Sequence, residues 1–206
     1  HIPVGFERHR CGEGKVLTQV TLPLLAAGRS VLSFEAMPRN AHIVRASVAL
    51  NRDNEALGRH VLVNKAVVNA TRYAEGSPVC MYWPQRQQRN ANNQGAFGIY
   101  LPAGRPEYDC QAEVNVTTIN AEIETNGLRG AAWAAIKADC ETCERNAFYG
   151  GASLWCGDHP PGLIVTEYFK GMAWLGAFAR DYGYSSPGDQ FGDARIRLET
   201  RGPMCP

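Results

Sequence analysis

The sequence predicts a mainly β protein: an antiparallel β-sandwich with long disulfide-anchored loops and at most one short helix. Three observations point there. Short runs of alternating apolar and polar residues recur along the chain, Gly and Pro punctuate them, and stretches with helical spacing are few. With 206 residues, 45% of them hydrophobic, the chain can bury a sizeable core, and residues 1–206 read as a single domain.

The elements follow in order. Within residues 31–37, Leu32, Phe34 and Ala36 share one face, with Ser33 and Glu35 on the other. Within residues 44–50, Val44, Ala46, Val48 and Leu50 alternate with polar neighbours such as Arg45 and Ser47. Both read as half-buried strands, separated by the turn signal at residues 38–40. A polar tract at 51–55 leads to an apolar strand over 61–68, which completes a meander. In residues 112–124 the apolar phase changes: Val114 and Val116 are even, Ile119, Ala121 and Ile123 odd. A β-bulge near Thr117-Thr118 reconciles them. Asn126-Gly127 then reads as a tight hairpin turn into a strand over 128–136.

Residues 162–183 are mixed, with a strand-like start at 163–165 and Trp174 and Phe178 at helical spacing despite Gly171 and Gly176. A final strand alternates Ile196 and Leu198 with Arg195, Arg197 and Glu199. Residues 84–98, dense in Gln, Asn and Arg, form a long loop between Tyr82-Trp83 and a strand at 97–101.

Charge excludes several partners. Lys plus Arg (21) nearly balances Asp plus Glu (20), so no basic field exists for nucleic acid. The longest apolar runs, residues 22–27 and 131–136, are too short for membrane insertion. Seven dispersed cysteines, Cys11, Cys80, Cys110, Cys140, Cys143, Cys156 and Cys205, fit disulfides and a secreted, extracellular setting. The odd count leaves one thiol buried, modified or paired with a second chain. Asn69-Ala70-Thr71 and Asn115-Val116-Thr117 are acceptor sequons, so Asn69 and Asn115 are candidate glycosylation sites.

The chain begins with histidine and reads as a processed mature protein. An imidazole beside a free α-amine is a bidentate chelate. The two groups titrate near about 6.5 and about 7.7–8.0, and nitrogen ligands favour copper. Here the chain resembles the lytic polysaccharide monooxygenases, secreted β-sandwich copper enzymes whose mature chains begin with histidine. The resemblance covers His1 and the expected architecture. It implies copper as cofactor, held by His1 and a second imidazole. His159 is the first candidate, in a cysteine-anchored turn leading into an apolar run, followed by His60 and then His9; His42 reads as a core or sheet histidine.

An aromatic near the axial position is also implied, with Tyr168, Tyr182 and Phe191 as candidates by residue type and Gln190 to orient a bound oxygen species. The implied function is oxidative cleavage of a polysaccharide. The alternative is a non-catalytic glycan-binding lectin or adhesin, using Tyr82, Trp83 and Trp155 as stacking faces beside the polar loop. A third reading is a structural subunit of an extracellular assembly.

Cys140-Glu141-Thr142-Cys143 can mean a redox dithiol or half a zinc site. Zinc needs two further ligands at defined spacing. A thioredoxin-like reading needs a βαβ context, which the strand pattern does not offer. The expectation is therefore that each cysteine belongs to a separate structural disulfide. No Gly-x-Ser-x-Gly, phosphate-binding glycine loop or His-Glu-x-x-His is present.

Overall fold

Parallel strand pairing, and not an antiparallel sandwich, organises the chain. The structure, a computed structural model, describes residues 15–51, 59–71, 73–82, 110–140, 143–168, 173–185 and 192–205. Among the described residues 35% are helix and 27% strand, a mixed α and β pattern that overturns the all-β expectation. The described strands form three small sheets. Parallel neighbours need long crossovers, and among the described residues helices lie between the parallel partners of two of these sheets, where a sandwich has hairpins. The chain divides into two compact units, residues 1–64 with 80–112 and residues 65–79 with 113–206.

In the first unit, helix α1 (Lys15–Ala26) precedes strand β1 (Val31–Phe34), helix α2 (Pro38–Leu50) and strand β2 (His60–Val63). Strands β1 and β2 pair in parallel, from Val31 opposite His60 to Phe34 opposite Val63. Residues 44–50 are thus helix and not strand. Pro38 opens the helix, where its missing N–H costs nothing. Asn40, Ala41, Val44 and Val48 form its buried stripe, whereas Leu50 is 79% exposed. Val48 packs with Leu25, Leu22 and Val31. The face assignment in β1 is reversed as well. Ser33 is buried, its hydroxyl 3.2 Å from Thr21 Oγ1, while Leu32 and Phe34 are half-buried.

Strands β4 (Pro78–Tyr82) and β5 (Cys110–Thr117) pass from one unit to the other. In the second unit β3 (Ala66–Val67) pairs in parallel with β5, Ala66 opposite Val116. The phase change after Val116 is the end of β5 and the start of helix α3 (Ile119–Thr125), not a bulge. The Thr118 hydroxyl caps this helix by accepting from Ala121 N at 3.0 Å. Asn126-Gly127 closes it. Gly127 adopts φ 65°, its N–H reaches Glu124 O at 3.0 Å, and Leu128 N reaches Ile123 O at 2.8 Å. That pattern is a Schellman cap, so the left-handed residue read as a hairpin turn ends a helix instead.

The remainder of the unit is a strand–helix–strand module. Strand β6 (Ala135–Ala138) leads through helices α4 (Glu144–Tyr149) and α5 (Ala152–Trp155) to strand β7 (Leu163–Tyr168). Helix α6 (Ala173–Tyr182) and strand β8 (Gly192–Arg197) follow. Strands β6 and β7 run parallel, and β8 joins β7 antiparallel. The core beneath is aromatic. Trp155 and Phe148 are 1% exposed and Phe178 is fully buried. The Trp155 ring lies 5.4 Å from Phe148 and 5.2 Å from Phe178, edge to face. Its indole N–H donates to Phe148 O at 2.6 Å. Among the described residues no helix is long and apolar enough to cross a membrane.

Candidate redox site

The residues between β6 and α4 carry the most distinctive chemistry. Asp139 follows the end of β6, and Cys140 comes next, two positions past Ala138. Cys140 and Cys143 are bonded to each other, with Cα atoms 5.4 Å apart. This corrects the expectation that each serves a separate disulfide. Cys143 N donates to Cys140 O at 3.3 Å, and Cys143 begins α4 by accepting from Ala147 N at 3.0 Å. Both cysteines are half-buried.

The strand–helix–strand context absent from the sequence pattern is present here. Ala138 lies opposite Thr166 in the parallel register of β6 and β7, so the cysteine pair sits at the carboxyl end of that parallel pair, where α/β folds place ligands. Thr166 is fully buried, and its hydroxyl has no hydrogen-bond partner among the described residues.

Glu144, the residue after the pair, went unnoticed in the sequence. It is 1% exposed, and its Oε1 accepts from Cys140 N at 2.9 Å. An acidic residue directly following C-x-x-C was the available signal; its burial was not. The other two disulfides are distant closures, Cys80–Cys110 and Cys156–Cys205, separated by 30 and 49 residues. Cys11 lies outside the described residues.

A second buried carboxylate, Glu122, has a structural setting. It accepts from Lys65 Nζ at 2.8 Å, Thr117 Oγ1 at 2.7 Å and Asn126 Nδ2 at 3.2 Å. Burial works against its charge, and the Lys65 ammonium with these donors outweighs burial, holding the carboxyl below the usual carboxylate range.

The copper candidates fall partly outside the described residues and partly in each unit. His1, His9, Gln190 and Phe191 lie outside the described residues, as does the side chain of Tyr168 at the end of β7. His60 belongs to the first unit and His159 to the second. The His60 Nε2 is 3.2 Å from Ser33 Oγ, and burial pushes its imidazole below the ordinary value of 6.5. His159 is exposed on its turn beside a hollow of about 60 Å³ that Trp133 and Arg129 help to line. His42 stands exposed on α2 and is no core histidine, because the alternation that placed it inside belongs to a helix. Tyr182 is packed 4.8 Å from Phe178 in the aromatic core. Among the described residues no three His, Cys, Asp or Glu side chains gather as a metal site.

Of the glycan candidates, Trp83 lies outside the described residues, Tyr82 is half-buried in β4, and Trp155 offers no face to a sugar because the core encloses it. An open recess of about 290 Å³ lies over Trp155 and Tyr182, edged by Asp158, Glu199 and Arg201. Asn69 heads a turn in which its Oδ1 accepts from Thr71 N at 3.1 Å. Asn115 is exposed on β5, while the Thr117 of its sequon is buried against Glu122. Comparisons of the chain with family models, curated proteins and solved structures find no match.

Proposed function

We propose that this chain exchanges thiols and disulfides through Cys140 and Cys143. One observation carries the reading: a C-x-x-C pair, closed on itself, at the end of a strand in a parallel strand–helix–strand module. Metal binding by the pair would need two further ligands, and no group of three candidate side chains gathers among the described residues. A purely structural role is a poor use of the pair, because a bond between residues 3 apart restrains the unfolded chain least of the three disulfides. Such a bond can open and close while the fold stands. The long-range closures Cys80–Cys110 and Cys156–Cys205 fit an oxidising, extracellular compartment, as the cysteine count suggests.

In the exchange, a substrate thiolate attacks one sulfur of the pair, and the other sulfur leaves with the bonding electrons and takes up a proton. The second substrate thiolate then attacks the substrate sulfur of the mixed disulfide, releasing the remaining cysteine. The substrate dithiol is oxidised by two electrons and the protein pair is reduced. The test is oxidation of a peptide dithiol by the full chain, with oxidised glutathione as terminal oxidant. The chain should accelerate oxidation, and Cys140→Ala/Cys143→Ala should fall to the uncatalysed rate. Equal rates for the two proteins would refute the reading.

A further inference from the structure

We infer that Glu144 handles the protons of this exchange, an inference that rests on the thiol–disulfide reading of Cys140 and Cys143. Its carboxyl group is 1% exposed, and among the described residues no cation pairs with it. Carboxylates at that depth are rare without a charged partner. An amide oxygen can also accept the Cys140 N–H, though less strongly than a carboxylate at the first turn of α4, so the hydrogen bond alone does not require an acid. What an acid adds is a place for a proton.

The position suits that use. Glu144 Oε1 lies 2.9 Å from Cys140 N, and standard bond lengths put a cysteine sulfur at most about 4 Å from its own amide nitrogen. The carboxyl is therefore within about 7 Å of the Cys140 sulfur, a span that one or two waters bridge. The neighbouring charges along the chain do not compete for the role. Lys137 Nζ and Asp139 Oδ2 pair with each other at 3.4 Å, Arg145 is exposed, and Glu141 lies outside the described residues.

Each half of the exchange removes a proton from an attacking thiol and delivers one to a leaving thiolate. Glu144 as carboxylate takes the first proton, and as carboxylic acid returns it to the sulfur released. Across a full turnover the residue is unchanged, and two protons move from the substrate thiols to the cysteine pair.

The test compares the full wild-type chain with Glu144→Gln and Glu144→Asp, using dithiothreitol as the dithiol and following opening of the Cys140–Cys143 bond from pH 5 to 9. Gln keeps an acceptor for Cys140 N–H, so the fold persists. Its exchange should slow about 100-fold, the lower end of what a positioned acid–base group contributes. Asp keeps the acid and should recover part of the rate. If Gln exchanges at the wild-type rate, the inference about Glu144 fails while the exchange reading stands. If wild type itself does not exchange, the earlier reading fails. Should Glu144→Gln not fold, Glu144→Asp decides: its exchange should fall below the wild-type rate, and exchange at the wild-type rate overturns the inference.

Discussion

The three disulfides among the described residues differ in what they do for the fold, and loop length gives the size of the difference. Cys156–Cys205 closes 49 residues, and Cys140–Cys143 only 3. Loop-closure entropy makes the first worth about 4 kcal/mol and the second about 2 kcal/mol. In Cys156→Ala/Cys205→Ala the end of the chain loses its tie to the residue after Trp155, above the aromatic core. With a urea slope of about 2 kcal/mol per molar, the midpoint should fall by about 2 M for that variant and by about 1 M for Cys140→Ala/Cys143→Ala. Urea unfolding followed by tryptophan fluorescence reads both, since Trp155 lies in the core concerned. Equal shifts, or a larger loss on removing the short-loop bond, would refute the assignment of the long closure to stability and the short one to chemistry.

Three further substitutions probe the same unit. Trp155→Ala empties the centre of the Phe148 and Phe178 cluster and strands the Phe148 carbonyl, so thermal or urea unfolding should register a loss of about 4 kcal/mol. Thr117→Val removes a buried donor from Glu122 and should cost about 2 kcal/mol at pH 7. Because the folded pKa of Glu122 lies below 4.5, its contribution is complete above that value and lost as the pH falls through the folded pKa. The gap between wild type and Thr117→Val should therefore narrow below pH 4.5; a gap that stays constant into acid would contradict the assignment. Thr166→Val replaces a buried hydroxyl that has no partner among the described residues with a methyl and should stabilise by about 1 kcal/mol, whereas a loss of that size would mean the hydroxyl is satisfied.

The sequence made local demands legible without fixing the structure that meets them. Asn126-Gly127 asked for a left-handed residue, and both a hairpin and a helix cap satisfy that demand; the Thr118 cap and the Ile119 and Ile123 spacing belong to the helix. Residues 44–50 fit both periods, because positions 44 and 48 share a face in a strand and in a helix alike. The exposure of Ala46 and Leu50 separates the two, and that is a property of packing. The cysteine spacing was plain, but its meaning depended on the parallel pairing of Lys137 with Val165, which no local pattern encodes. The same limit hid Glu144. Its neighbour in sequence is Cys143, yet its hydrogen bond is to Cys140 and its burial comes from the fold. The histidines are a different case: His60 and His159 were alternative partners for His1, which lies outside the described residues, and they belong to different units.

The most direct test of the redox assignment is site-resolved thiol trapping of the full chain. The protein is equilibrated in glutathione buffers of increasing reducing strength, alkylated, digested and read by mass spectrometry at Cys140, Cys143, Cys80, Cys110, Cys156 and Cys205. A redox-active pair predicts that Cys140 and Cys143 open together while Cys80–Cys110 and Cys156–Cys205 remain closed and the protein stays folded. Opening of Cys140–Cys143 only after, or together with, the two long closures would contradict it.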